Sequence, residues 1–195
     1  MQVITFLFGG LCHQFDDRCL VFDGRHLPIC ARCMGTLLGF LLALIVLRLI
    51  EPGRPDGRPT GWALGLLGLL ATLWAIDGLN SAAQQAWGRG LYQPSNAVRL
   101  ATGMGFGVGL GSLLYPIYQG TVWSHSDQRP VLARGWQVAT LLAAAGALTA
   151  LVLVWRTAPY GLWLLLVSAA VLICLATANA ALVMLVLRRE RRAVR

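Results

Sequence analysis

Five apolar runs leave this chain few folds to choose from. They cover roughly residues 34–50, 62–80, 96–118, 136–155 and 161–187. Each approaches or exceeds the roughly 20 residues that an α-helix needs to cross a bilayer. In hydrocarbon every backbone polar group must find its partner within the fold, which leaves helices or closed barrels. Runs of this length select helices. Composition agrees: 57% of residues are hydrophobic, 12% are charged and the mean hydropathy is +0.66, whereas a soluble domain carries about twice that charged fraction. The expected fold class is all-α, a polytopic helical membrane protein. It has about five transmembrane helices and a Cys/His-bearing N-terminal segment. The connecting loops are too short for a second domain. The expected organisation is an extracytoplasmic segment, 1–33, packed on a helical membrane domain, 34–187, with a basic cytoplasmic tail, 188–195.

The first eleven residues, MQVITFLFGGL, lack the positive start and the small-residue cleavage site of a signal peptide. They are too short to span, and a short helix against the membrane face is expected there. The loop EPGRPDGRPTG, 51–61, carries three prolines and three glycines and ends the first span. A polar connection is expected after Asn80, through Gln84, Gln85, Arg89 and Pro94 to Ser95.

The net charge of +8 comes from arginine alone, because the chain has no lysine. The arginines are scattered over loops and one tail, so membrane orientation explains them better than nucleic-acid binding. The tail holds Arg188, Arg189, Arg191, Arg192 and Arg195, which places the C-terminus in the cytoplasm. Counting back five spans puts the N-terminus outside the cell (inner) membrane. The two loops then inside hold Arg54, Arg58, Arg129 and Arg134, with Arg48 at the edge. Against this, the N-terminal segment places Arg18, Arg25 and Arg32 outside. Trp62, Trp87, Trp123, Trp136, Trp155 and Trp163 fall near the span ends, as an interfacial aromatic belt would.

The polar segment before the first span concentrates the chemistry. It holds Cys12-His13-Gln14, Cys19, His26 and Cys30-Ala31-Arg32-Cys33, with Gly24 and Pro28 marking turns. Cys12, His13, Cys30 and Cys33 offer three sulfurs and an imidazole, a set suited to tetrahedral zinc or another divalent metal. His26 or Cys19 are alternatives to His13. The topology sets the end of span two and the start of span three under this segment. Asp77, Ser81 and Gln84 share one helix face, and Asn96, Arg99 and Gly103 share another. A charge inside a span is costly, so Asp77 and Arg99 are expected to pair or to face a polar cavity. Asp77, Asn96 and Arg99 are the candidate catalytic residues. Asp77 would serve as general base or second metal ligand.

These residues resemble those of a family of small bacterial and archaeal membrane proteins catalogued as a domain of unknown function. The resemblance rests on Cys12-His13-Gln14, Arg18 and Leu27-Pro28-Ile29-Cys30-Ala31-Arg32-Cys33-Met34-Gly35. It continues through Asp77-Gly78, Arg89, Ser95-Asn96 and Arg99-Leu100-Ala101-Thr102-Gly103, covering roughly residues 10–115. Here Gln84 and Gln85 follow Asp77-Gly78 later than the family pattern has its glutamine, and Cys19 stands where that pattern favours serine. The resemblance implies a polytopic membrane fold and supplies no activity.

Three chemistries remain open. The first is a metal site, structural if closed by four ligands and catalytic if one position is open. The second is thiol–disulfide exchange at Cys30-x-x-Cys33, with electrons passed to a membrane quinone held near Trp74 and Trp87. The third is a lipid-phosphate or small-molecule site at the outer leaflet. There Arg18, Arg25, Arg32, Arg89 and Arg99 would offer guanidinium forks. Membrane lipids are the expected partners. Whether the protein is an enzyme, a transporter or a structural protein is left open by the residues alone. Cys174 reads as a small apolar packer, His125 as a loop residue on the opposite face. Gly35 with Gly39, and Gly103 with Gly107 and Gly111, read as close-packing faces.

Overall fold

The computed structural model describes residues 8–10, 12–123 and 127–186. The expectations for His125, for the basic tail and for most of the first eleven residues lie outside these. Phe8–Gly10 is described, and Phe8 is buried in the core.

The polar N-terminal segment folds as a hairpin. A short 3-10 turn, Asp16–Arg18, leads into β1, Cys19–Phe22, which pairs antiparallel with β2, Arg25–Cys30. Asp23 and Gly24 join them with φ of 48° and 70°. Two consecutive left-handed residues make the tight turn whose twist matches a hairpin, and Asp-Gly is a preferred pair for it. Pro28 lies within β2 and not at a turn, which a two-stranded ribbon tolerates because its outer edge needs no N–H donor.

Five helices follow: α1 Ala31–Ile50, α2 Gly61–Trp87, α3 Asn96–Val122, α4 Gly135–Val154 and α5 Tyr160–Val186. All five are long and apolar enough to cross a membrane. α1 starts three residues earlier than its apolar run suggests, because Cys30 caps it: its sulfur accepts the Cys33 N–H at 3.5 Å. α2 runs past Asn80 through Gln84 and Gln85, where a polar connection was expected. It stops only at Gly88, whose φ of 65° forms a left-handed cap. α3 begins at Ser95, whose Oγ accepts the Val98 N–H at 3.2 Å.

α1 and α3 form the central pair. A methyl group at Gly35, Gly39, Gly103 or Gly107 would collide with the backbone carbonyl of Leu100, Met104, Arg32 or Thr36 respectively. At Gly111 it would meet the Ala43 Cβ at 2.7 Å. The glycines therefore serve packing, as the sequence suggested. α2, α4 and α5 surround this pair. Their outer faces leave Leu69, Leu73, Leu79, Leu165, Leu172 and Leu182 exposed, as lipid-facing positions should be.

The helices alternate in direction, and each end of the bundle is tied off. At one end the hairpin sits on the ends of α2 and α4 and the starts of α1, α3 and α5. Asn96 Nδ2 donates to the Asp17 and Cys19 carbonyls, and the Asp23 N–H donates to Arg156 O at 3.1 Å. Trp163 is buried against Phe22 at 5.2 Å between ring centroids. It anchors the hairpin and takes no part in an exposed belt, unlike Trp62, Trp87, Trp136 and Trp155. At the other end β3, Pro55–Gly57, pairs in parallel with β4, Asp127–Pro130. There the buried Glu51 accepts the Leu132 N–H at 2.9 Å.

Candidate metal centre and polar cavity

The hairpin and the first turn of α1 bring three of the four expected ligands together. Among the described residues, the sulfurs of Cys12, Cys30 and Cys33 form a group within 4.8 Å of one another. Cys30 and Cys33 are three apart across a helix start. Cys12 reaches them because the Cys30 N–H donates to its sulfur at 3.3 Å. His13 is not in this group. It is exposed, and its ring stacks on Phe15 with centroids 6.0 Å apart. The chain turns away after it at Gln14, with φ of 52°. His26 is exposed on β2 opposite Val21. Cys19 is buried and pairs with Cys30 in the strand register, yet its sulfur also lies outside the group. All five cysteines are unbridged.

The electrostatics of the group follow from its contacts. Hydrogen bonds from the Cys30 and Cys33 thiols lower the Cys12 thiol to about 2, while the same bond raises Cys30. Burial, with the neighbouring charge, raises Cys19 to about 12. The helix start adds its own positive end to the field at Cys30 and Cys33. The fit to zinc is a question of distances and donors. Four-coordinate zinc with Zn–S near 2.3 Å needs sulfurs roughly 3.8 Å apart, within a side-chain adjustment of the observed group. Three sulfurs leave one tetrahedral position for a ligand from outside the group.

Beside the cluster lies a buried polar network. Asp77 is 1% exposed. Asp77 and Arg99 were expected to pair or to face a polar cavity; the ionic partner of Asp77 is Arg32, the residue between Cys30 and Cys33, and Arg99 lines a cavity. Arg32 Nε donates to Asp77 Oδ2 at 3.0 Å, its Nη2 bonds the same oxygen, and Nη2 also reaches Asp77 O and Ser81 Oγ. Tyr92 Oη donates to Asp77 Oδ1 at 2.6 Å, and Thr102 Oγ1 lies 3.4 Å from Oδ2. Burial, and then the bond to Asp77, push the Tyr92 hydroxyl up to about 12, so it stays a donor. The pairing with Arg32 follows from the early start of α1, which winds Arg32 into its first turn facing α2. Tyr92 had no signal beyond being an aromatic hydroxyl in a polar connection. Asn80 is buried and holds that connection through the Leu91 N–H and the Tyr92 carbonyl.

Asn96 and Arg99 bond each other, Arg99 Nη1 to Asn96 Oδ1 at 2.9 Å. Arg99 lines a cavity of about 530 Å³ with Phe15, Asp17, Arg18, Ser81, Gln84 and Gln85. No cysteine lines it. Ser81 connects the two, since it touches both the cavity and Arg32. A quinone was expected near Trp74 and Trp87. Trp74 stacks on Phe106 at 4.2 Å, and Trp87 is exposed.

Comparisons with known proteins agree with this architecture. An uncharacterized protein of Methanothermobacter thermautotrophicus is 29% identical over 115 residues, covering 57% of this chain and 90% of its own. An uncharacterized protein of Methanocaldococcus jannaschii is 28% identical over 112 residues, covering 57% of this chain and 66% of its own. No solved structure matches. A model described as "Predicted membrane protein (DUF2085)" matches residues 12–113, the stretch that holds the hairpin, α1, α2 and most of α3. The chain belongs to this DUF2085 family of predicted membrane proteins.

Proposed function

We propose that this multi-pass membrane protein binds a soft divalent metal, zinc by preference, at Cys12, Cys30 and Cys33. The site would stand beside a polar cavity that receives a lipid headgroup or small molecule at the outer leaflet of the inner membrane. The observation that carries the reading is the convergence of three sulfurs from two separate stretches within 4.8 Å. Thiolate donors select zinc over hard cations. Backbone N–H groups point at two of the sulfurs, as suits negatively charged ligands. When bound, the metal would supply a Lewis-acid position open to a fourth ligand. The chain's own part is positional. Arg32 ties the cluster to Asp77 and Ser81, and the Asn96–Arg99 pair shapes the cavity wall.

The test is metal content of the full-length protein, purified without chelators, beside a Cys30→Ser/Cys33→Ser variant. About one zinc per chain, absent from the variant, is the expected result. Metal-free protein from zinc-replete cells sinks the reading.

A second reading rests on the same geometry. Cys12 lies within reach of Cys30 and Cys33, and hydrogen bonds from both lower its thiol, as suits the attacking group in disulfide exchange. It requires reversible formation of a disulfide within the group. Mass spectrometry of alkylated protein, before and after mild oxidant, separates it from metal binding, because a loaded metal shields the thiols from both reagents.

A further inference from the structure

We propose that the cavity between the Asp16–Arg18 turn, the end of α2 and the start of α3 binds a phosphate group, held between Arg99 and Arg18. This deepens the reading above, since it names the ligand class of the cavity assigned there.

The argument starts from a charge without a counter-charge. Arg99 is 7% exposed. Among the described residues its guanidinium makes one hydrogen bond, to the neutral Asn96, and no ion pair. Its Nε is buried and has no partner. Asp77, the one buried carboxylate nearby, is already bonded to Arg32 and Tyr92. A buried ion is retained where something compensates it, and an unpaired one is costly.

The cavity adds a second cation to the first. Arg18 is held in its wall by a bond from Nη2 to Gln85 Oε1 at 2.7 Å and by the Phe15 ring beneath it. Its Nε, like that of Arg99, has no hydrogen-bond partner. The acidic residue in the wall is Asp17, whose carboxylate is 73% exposed and 3.6 Å from that Nε. One solvated carboxylate against two guanidiniums leaves the wall net positive. Gln84 and Ser81 add neutral hydrogen-bonding groups to the wall. Two planar forks with unused donors, set around a space of about 530 Å³, match a tetrahedral oxyanion carrying an organic group. The cavity opens at the end of the bundle where α2 stops and α3 starts, the level of lipid headgroups. A phospholipid head and a free phosphate ester present the same chemistry there.

The experiment uses the full-length protein in dodecyl maltoside, which contains no phosphorus, titrated with inorganic phosphate and, separately, with dihexanoyl phosphatidate. Phosphorus NMR line broadening reads the binding. Saturable binding of at least one probe is expected, weakened about tenfold by Arg99→Gln and by Arg18→Gln. Arg18 is 21% exposed and lies in the Asp16–Arg18 turn outside the spans, so its variant tests the proposal even where Arg99→Gln destabilises the bundle. Phosphatidate alone binding assigns the cavity to a lipid head. Both probes binding assigns it to phosphate groups at large. Binding of neither, or binding unchanged in Arg18→Gln, overturns the proposal. The Cys30→Ser/Cys33→Ser variant should lose metal and still bind the probe, so failure of the metal reading and failure of this one are told apart.

Discussion

Asp77 accepts hydrogen bonds from groups on α1, on the connection after α2 and on α3, while standing on α2 itself. Its removal therefore acts on the whole end of the bundle. Asp77→Asn keeps the shape and removes the charge, which leaves Arg32 facing an amide. Breaking one side of a buried ion pair costs about 3–5 kcal/mol. Tyr92→Phe removes one bond to a charged acceptor and should cost about 1.5–3 kcal/mol. An Arg32→Met/Asp77→Leu pair should recover much of the loss, because apolar replacement of both partners leaves no buried charge unpaired. Thermal unfolding in detergent, followed by circular dichroism, checks all three. Asp77→Asn within about 1 kcal/mol of the parent would show that the pair is solvated. Sequence reasoning identified Asp77 and Arg99 as buried charges that pair with each other or face a polar cavity; Arg99 lines a cavity, and Asp77 pairs elsewhere. The true partner depends on the rotation of α1 against α2, which no residue spacing encodes. The capping sulfur of Cys30 was the one local signal that Arg32 is helical.

At the scale of elements, the glycines of α1 and α3 set how closely the central pair approaches. Gly107→Ala would drive a methyl into the Thr36 carbonyl. Backbone cannot rotate away as a side chain can, so a cost of about 1–3 kcal/mol is expected. Gly146→Ala in α4 meets nothing within 4 Å, and should stabilise by about 0.5–1 kcal/mol through helix propensity. Comparing the two variants in one unfolding assay separates packing from propensity. Equal effects would mean that the α1–α3 contact is loose. The small residues at four-residue spacing made this contact legible from sequence. The end of α2 was legible in principle too, since Gly88 is a standard stop signal. It was missed because Gln84 and Gln85 are polar, and polarity was taken for the end of the helix. In fact the helix projects beyond its apolar part and carries Gln85 to Arg18. The hairpin turn at Asp23-Gly24 was readable, while the pairing that buries Cys19 needed the register.

For the molecule as a whole, orientation rests on which arginines are free to sense the membrane. Charges in short loops near span ends set topology. Arg18, Arg25 and Arg32 argued against an external N-terminus, yet the fold commits each of them. Arg18 bonds Gln85, Arg32 bonds Asp77, and Arg25 lies 6.0 Å over the Tyr160 ring. Arg156, at the same end, donates to Leu153 O and lies over Phe22. At the opposite end Arg58 and Arg134 are exposed, and Arg48 and Arg54 line the rim of a separate cavity. Arg89 is exposed at the hairpin end and Arg18 and Arg99 line the cavity there, so the balance rests on the short loops, which hold Arg54, Arg58, Arg129 and Arg134 at the end that carries the β3–β4 pair. That end should face the cytoplasm, with the cysteine hairpin outside. A C-terminal green fluorescent protein fusion should fluoresce, and a C-terminal alkaline phosphatase fusion should be inactive. The reverse pattern would put the hairpin in the reducing cytoplasm. It would remove the compartment that thiol–disulfide exchange needs and leave metal binding as the role for Cys12, Cys30 and Cys33.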